Sequence, residues 1–305
     1  MSLTAFLLTS LMLISMDIPL DTMDNGEDVF QHYIATNHKR SYITMLEGFG
    51  NINPLYFEAR ITPYYLIRLK DQYRWAVELN PAGIIRMQRE KSFPIRSPSY
   101  MPRITYYHNL KQKISGNKKV VPFLSLVHHS NGQNGDFHNE DGSVNTIDGN
   151  FSTNYLEMGF FMTKLNTRNT GQRKFYKSYL EYHFASDPHL KGRYGFLRAN
   201  FEFQWIHQLS SYVGKRGELR QKSKKHRIRQ SFNTGWIFGG LENTSSVNIE
   251  ERLTFKYTFS YHPKITEDMS VFVQYYYGQD YYNIYFNRNI SVLRLGLMTD
   301  QLKFW

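Results

Sequence analysis

The sequence predicts an all-β chain folded as a transmembrane antiparallel β-barrel of about twelve strands. Three observations predict it: sustained alternation of apolar and polar residues, high aromatic content with low hydropathy, and no long apolar run. The 305 residues include 23 Tyr and 22 Phe, and 16% are aromatic. Mean hydropathy is nevertheless −0.52. Beyond the N-terminus no uncharged apolar stretch reaches the roughly 18 residues of a membrane helix, so a bundle of such helices is excluded. A barrel reconciles the two, because lipid-facing apolar positions alternate with polar interior ones and aromatic girdles mark both interfaces.

The alternation has period 2, the pattern of strands with two different faces. In residues 253–261 the apolar set is Leu253, Phe255, Tyr257, Phe259 and Tyr261, with Thr254, Lys256, Thr258 and Ser260 between them. In residues 196–205 Arg198, Asn200, Glu202 and Gln204 oppose Leu197, Ala199, Phe201, Phe203 and Trp205. The same reading places strands at 39–48, 55–67, 73–90, 99–109, 118–130 and 152–164. Six more fall at 174–185, 194–209, 226–238, 250–262, 269–278 and 288–298. Gly, Asn, Asp and Lys gather between them, as in 166–171 and 186–192, the composition of turns. A soluble sandwich also alternates, but its strands usually run about 5–6 residues. Several here alternate for longer, as a tilted membrane strand of about 9–11 residues requires. The chain ends in Phe304–Trp305, a terminal aromatic like the assembly signal of outer-membrane barrels.

Residues 1–30 form a separate N-terminal segment, and 31–305 read as one barrel domain without repeats or linkers. The opening MSLTAFLLTSLMLISM has the apolar core of a signal peptide but no basic n-region and no clear cleavage site. It reads as an atypical signal peptide or as an ordered N-terminal segment. There is no Cys, which suits an oxidising periplasm. The net charge of +11 fits solvated loops and a polar lumen, or attraction to anionic lipid head groups. The basic residues are scattered apart from one run at 215–229, so no nucleic-acid partner is expected.

Residues 124–132 read LSLVHHSNG. His128 and Ser130 lie two apart on a strand, so both leave the same face, at the end of a stripe begun by Leu124 and Leu126. Asn154 opens the next strand on the face of Leu156, Met158, Phe160 and Met162. Antiparallel pairing would bring it beside His128 and Ser130 on the outer wall. Polar groups at membrane depth are costly and tend to be functional. From spacing alone a second reading stands, in which His-x-Ser only opens a polar loop. His129 points to the opposite face, as a lumen residue.

The run His128-His129-Ser130-Asn131-Gly132, followed by Asn154, resembles the outer membrane phospholipase A family. Phe93-Pro94-Ile95-Arg96 through Tyr100 and Pro102 is similar to that family's P-F-R…Y-x-P segment. Tyr277-Gly278-Gln279, Tyr285-Phe286-Asn287-Arg288 and Leu295-Gly296-Leu297-Met298 resemble its last hairpin and closing strand. The similarity is patchy over most of 39–305.

The resemblance implies a Gram-negative outer-membrane enzyme that hydrolyses acyl esters of glycerophospholipids. Ser130 would be the nucleophile, His128 the base and Asn154 the group orienting the imidazole. It also implies calcium dependence and a homodimer. The family's calcium ligands fall on Gln133, Asn150 and, from the partner chain, Phe93. Asn150 stands where the family has Ser, with Ser152 a substitute candidate. The 133–151 loop is longer than the family pattern and adds Asp136, Glu140, Asp141 and Asp148, either as solvated loop residues or as a rebuilt calcium site. The rival expectations are a pore or adhesin, and a lipopolysaccharide deacylase.

Overall fold

The computed structural model describes residues 26–68, 74–92, 94–110, 118–164, 172–209, 226–242, 244–266 and 268–299. The signal-like opening, Phe304–Trp305 and most of the basic run at 215–229 lie outside them. A helix α1 (Gly26–Asn37) precedes β1 (Tyr42–Gly50), β2 (Leu55–Ile61), β3 (Tyr65–Ile67), β4 (Trp75–Gln88) and β5 (Ser99–His108). β6 (Lys118–Ser130), β7 (Ser152–Lys164), β8 (Gln172–Ser186), β9 (Leu197–Leu209) and β10 (His226–Phe238) follow. A short α2 (Ile249–Arg252) then leads to β11 (Leu253–His262), β12 (Met269–Gln279) and β13 (Asn289–Thr299).

Apart from β2 and β3, which do not pair with each other, every strand pairs antiparallel with its neighbours in sequence, and β13 returns to β1. The sheet therefore closes. β2 and β3 lie end to end on β4, β3 along Val77–Leu79 and β2 along Gly83–Gln88, so the wall is a twelve-stranded barrel. The single strand expected over 55–67 is broken at Thr62–Tyr64 because Pro63 has no N–H to give the ladder. Side chains close the gap. The Thr62 N–H donates to Ser41 Oγ at 2.9 Å, and Asn80 Nδ2 donates to the Pro63 carbonyl at 2.6 Å.

The wall is apolar outside and polar inside. Ile43, Met45, Ile104, Leu124, Leu126, Met158, Val271, Val273 and Leu293 are exposed, whereas Thr44, Thr105, Ser125, Glu157, Thr258, Gln274 and Arg294 are buried. Tyr65 and Tyr106 stand outward near one rim, and Tyr56, Tyr100, Tyr182, Phe184 and Phe196 near the other, as girdles at two interfaces require. No described helix is long and apolar enough to cross a membrane.

The lumen is filled in two ways. Toward the rim that carries α1, Phe30, Tyr33 and Ile34 pack on Ala76, Tyr107, Val121, Phe123, Phe161 and Phe175. This i, i+3, i+4 stripe is the helical signal, and the sequence reading placed no helix there. Toward the opposite rim buried charges interlock. Glu58 accepts from Tyr42 Oη and Arg86 Nε, each at 2.6 Å, and from Arg294 Nη1 at 2.7 Å. Arg86 also holds Asp280 with two bonds of 2.7 and 2.8 Å. Desolvation of buried ions is offset only when their remaining donors and lone pairs are filled; Glu58, Arg86 and Asp280 each have several partners, whereas Arg294 is bonded through Nη1 alone among the described residues.

Candidate active site

β6 and β7 are in register from Lys118↔Lys164 to Ser130↔Ser152, and this pairs His128 with Asn154. Both side chains leave the outer face. His128 is exposed beyond Leu124 and Leu126, and Asn154 is half-buried. His128 Nδ1 and Asn154 Oδ1 are 2.9 Å apart. An amide oxygen can only accept, so Nδ1 donates, and in the neutral imidazole Nε2 keeps a lone pair. Ser130 follows on the same face, half-buried at the last residue of β6, with Tyr100 of β5 and Ser152 of β7 as its cross-strand partners.

The chain turns directly after Ser130. Gly132 has φ +68, a left-handed conformation that glycine adopts without strain. A Cβ there would sit 3.3 Å from the Tyr100 ring. Among the described residues no acceptor takes the Gly132 N–H. Asn131, 2% exposed, braces the turn. Its Oδ1 accepts from the N–H groups of Gln133 and Phe151 at 3.3 and 3.1 Å, and its Nδ2 donates to the Gly149 carbonyl at 2.7 Å. Both ends of the 131–151 connection are thus tied to one buried amide. The connection folds inward, with Phe137 and Phe151 packed on Leu190, Tyr194, Tyr282 and Phe286 over the lumen mouth.

The expected metal ligands fall as follows. Phe93 lies outside the described residues. Gln133 is half-buried beside Asn131. Asn150 donates its Nδ2 to Asp187 Oδ2 at 3.0 Å, and its amide oxygen has no protein partner among the described residues. Such carbonyl and amide oxygens are the donors a hard cation such as calcium takes. Two of the four acids added by the loop are used locally. Asp141 accepts from the hydroxyl and N–H of Ser143, which hold its carboxyl below the usual carboxylate range. Asp148 accepts from Asn145 Nδ2 at 2.7 Å. Among the described residues no three His, Asp or Glu come together as a metal cluster.

His129, expected in the lumen, is 5% exposed there, with Nε2 at 2.6 Å from Ser99 Oγ. Sequence reasoning did not single out the Asn131 brace or the free Gly132 N–H. The Asn-Gly pair after Ser130 was their signal, since Asn bonds locally in turns and Gly takes positive φ.

No family model and no curated protein matches the sequence. Solved structures do match the fold. Outer membrane phospholipase A from Escherichia coli aligns with TM-score 0.54 and 13% identity over 92% of this chain and all of that one. The calcium-bound dimer of the Salmonella typhi outer membrane phospholipase gives TM-score 0.55 and 12% identity over the same shares. An active-site asparagine-to-alanine mutant of the E. coli protein gives 0.54 and 14% over 96% of each chain. At such identities the likeness is one of architecture, a closed twelve-stranded barrel of the kind these phospholipases have.

Proposed function

We propose that the chain is an outer-membrane phospholipase that hydrolyses acyl esters of glycerophospholipids, with Ser130 as nucleophile, His128 as base and Asn154 as orienter. The observation that carries this reading is the His128–Asn154 hydrogen bond on the lipid-facing wall, with a serine two residues on along the same face. An imidazole fixed in this tautomer offers Nε2 to a hydroxyl, the division of labour of a nucleophile, base and orienter. A neutral orienter suits the position, because a carboxylate facing lipid carries a desolvation cost that grows with depth in the membrane.

In the proposed reaction Ser130 Oγ attacks the ester carbonyl carbon as its proton passes to His128 Nε2. The carbonyl oxygen takes up negative charge, and the unpaired Gly132 N–H is the nearby donor for it. His128 then protonates the departing alcohol oxygen of the lysolipid, leaving an acyl ester on Ser130. Water, giving a proton to Nε2, hydrolyses that ester and restores the serine. A lipid reaches such a site sideways from the leaflet, without passing through the filled lumen.

Calcium would supply positive charge beside the developing oxyanion. The Gln133 carbonyl, the Asn150 amide oxygen or Ser152, and the Phe93 carbonyl of a second copy would hold it in a homodimer.

Fatty-acid release from phospholipid–detergent micelles by the refolded barrel tests this, with calcium and then with EDTA. Calcium-dependent release is expected. Release indifferent to EDTA discards the metal assignment, and no release from a folded, dimeric sample discards the phospholipase.

A further inference from the structure

The wall behind the candidate triad is not regular. β7 and β8 slip register at one place, between Asn154 and Tyr155. Asn154 faces Ala185 while Tyr155 faces His183, so Phe184 is an extra residue on β8. Phe184 and Ala185 consequently both stand exposed outside. Bulges of this kind bend the strand and re-aim the side chains beside them. This one lies at the residue that holds the His128 imidazole.

On the lumen side a hydrogen-bonded chain spans the inserted residue. Thr153, fully buried, puts its hydroxyl 2.8 Å from His183 Nδ1 and 2.7 Å from Ser186 Oγ, one on each side of the bulge. His183 Nε2 is 2.8 Å from Glu181 Oε1, and Arg198 Nε lies 3.4 Å from the same carboxylate. A carboxylate only accepts, so a neutral His183 donates from Nε2 and accepts at Nδ1. Every direction is then set: Ser186 donates to Thr153, Thr153 to His183, and His183 to Glu181. Thr153 is the residue before Asn154, and its register partner is His129, bonded in turn to Ser99. The strand carrying His128 and the strand carrying Asn154 are thus each fastened from behind.

We propose that Thr153 and His183 are positioning residues: their hydrogen bond across the bulge in β8 fixes where the Asn154 amide meets His128. The proposal rests on the hydrolase reading for its kinetic consequence only. The ladder to β6 holds one edge of Asn154; on the other edge the bulge interrupts the ladder to β8, so there the backbone is held by the side-chain clamp beside it. Misplacement by an ångström costs a catalytic group about 10²-fold.

The test compares Thr153→Val, which keeps the shape and removes both bonds, with Thr153→Ser, which keeps the hydroxyl. Thr153→Val is expected to lower kcat by about 10-fold or more with KM little changed, and Thr153→Ser to restore most of it. In an Asn154→Ala background Thr153→Val should add no further loss, because the group it positions is gone. An equal loss in both backgrounds, or a loss explained by the folded fraction on heat-modifiable gels, overturns the proposal. His183→Phe, which cuts the same bond from its other end and keeps a ring in the same place, gives the same reading if Thr153→Val folds poorly.

A second readout separates this inference from the hydrolase reading. In 15N-histidine-labelled barrel, the His128 Nδ1–H resonance reports the bond to Asn154 whether or not the protein hydrolyses anything. It should shift or broaden in Thr153→Val and persist in Thr153→Ser. An unchanged resonance in Thr153→Val contradicts the positioning role, whereas absent hydrolysis by the parent contradicts only the phospholipase.

Discussion

His128 and His129 are adjacent in sequence, and each shares a face with a serine, Ser130 outside and Ser99 inside, on opposite sides of one wall. Among the described residues only the inner pair is hydrogen-bonded, with His129 Nε2 at 2.6 Å from Ser99 Oγ. It is sealed: Ser99 is fully buried and His129 5% exposed, against the Phe151 ring. The outer imidazole is held at Nδ1 by Asn154 and presents Nε2 to the face where Ser130 lies. Access for a substrate, an orienter on the second nitrogen and a free N–H beside the hydroxyl distinguish the outer pair. The inner pair has no substrate access and, among the described residues, no hydrogen-bond partner on the second nitrogen.

Substitutions on the two faces should accordingly separate activity from stability. His128→Ala has the largest expected effect on hydrolysis, a loss of about 10²–10⁴-fold from removing a positioned general base, with the heat-resistant fold retained on gels. If its rate matches that of the parent, the outer face is not the reacting one. Asn131→Ala comes next, since it frees the N–H groups of Gln133 and Phe151 and the Gly149 carbonyl. It should destabilise the 131–151 connection by about 1–3 kcal/mol, seen as faster proteolysis there, and lower activity through loss of the Gly132 turn. Ser99→Ala has the smallest expected effect on hydrolysis. It should cost roughly 1 kcal/mol of stability, read as a lower unfolding midpoint in denaturant, and leave the rate of the folded protein near that of the parent. A rate loss as large as that of His128→Ala would show that the inner pair takes part.

The contrast between the faces was legible because it depends on local order. Alternation fixes which side of the wall a residue takes, so His129 reads as a lumen residue from its neighbours alone, and the twelve-stranded barrel follows from the same pattern. The elements that were not legible depend on partners distant in sequence. Asn131 acts through Gly149 and Phe151, and Thr153 through His183 and Ser186, at separations no periodicity reports. The break at Thr62–Tyr64 was written in Pro63, but the extended pattern on both sides concealed it. The stripe of α1, Phe30, Tyr33 and Ile34, is too short to announce a helix until the barrel mouth it fills is known. The acids of the 133–151 loop could be read as solvated residues or as a rebuilt calcium site, and Asp141 and Asp148 are used in turns.

The most direct test of the central claim is labelling of the folded barrel in micelles with a lipid-chain sulfonyl fluoride, followed by peptide mass spectrometry. Such a reagent sulfonylates a serine whose hydroxyl is activated by an adjacent base, with loss of fluoride. The account predicts one adduct per chain on Ser130, abolished in His128→Ala and absent from Ser99. No adduct on Ser130, or equal labelling once His128 is removed, would contradict it.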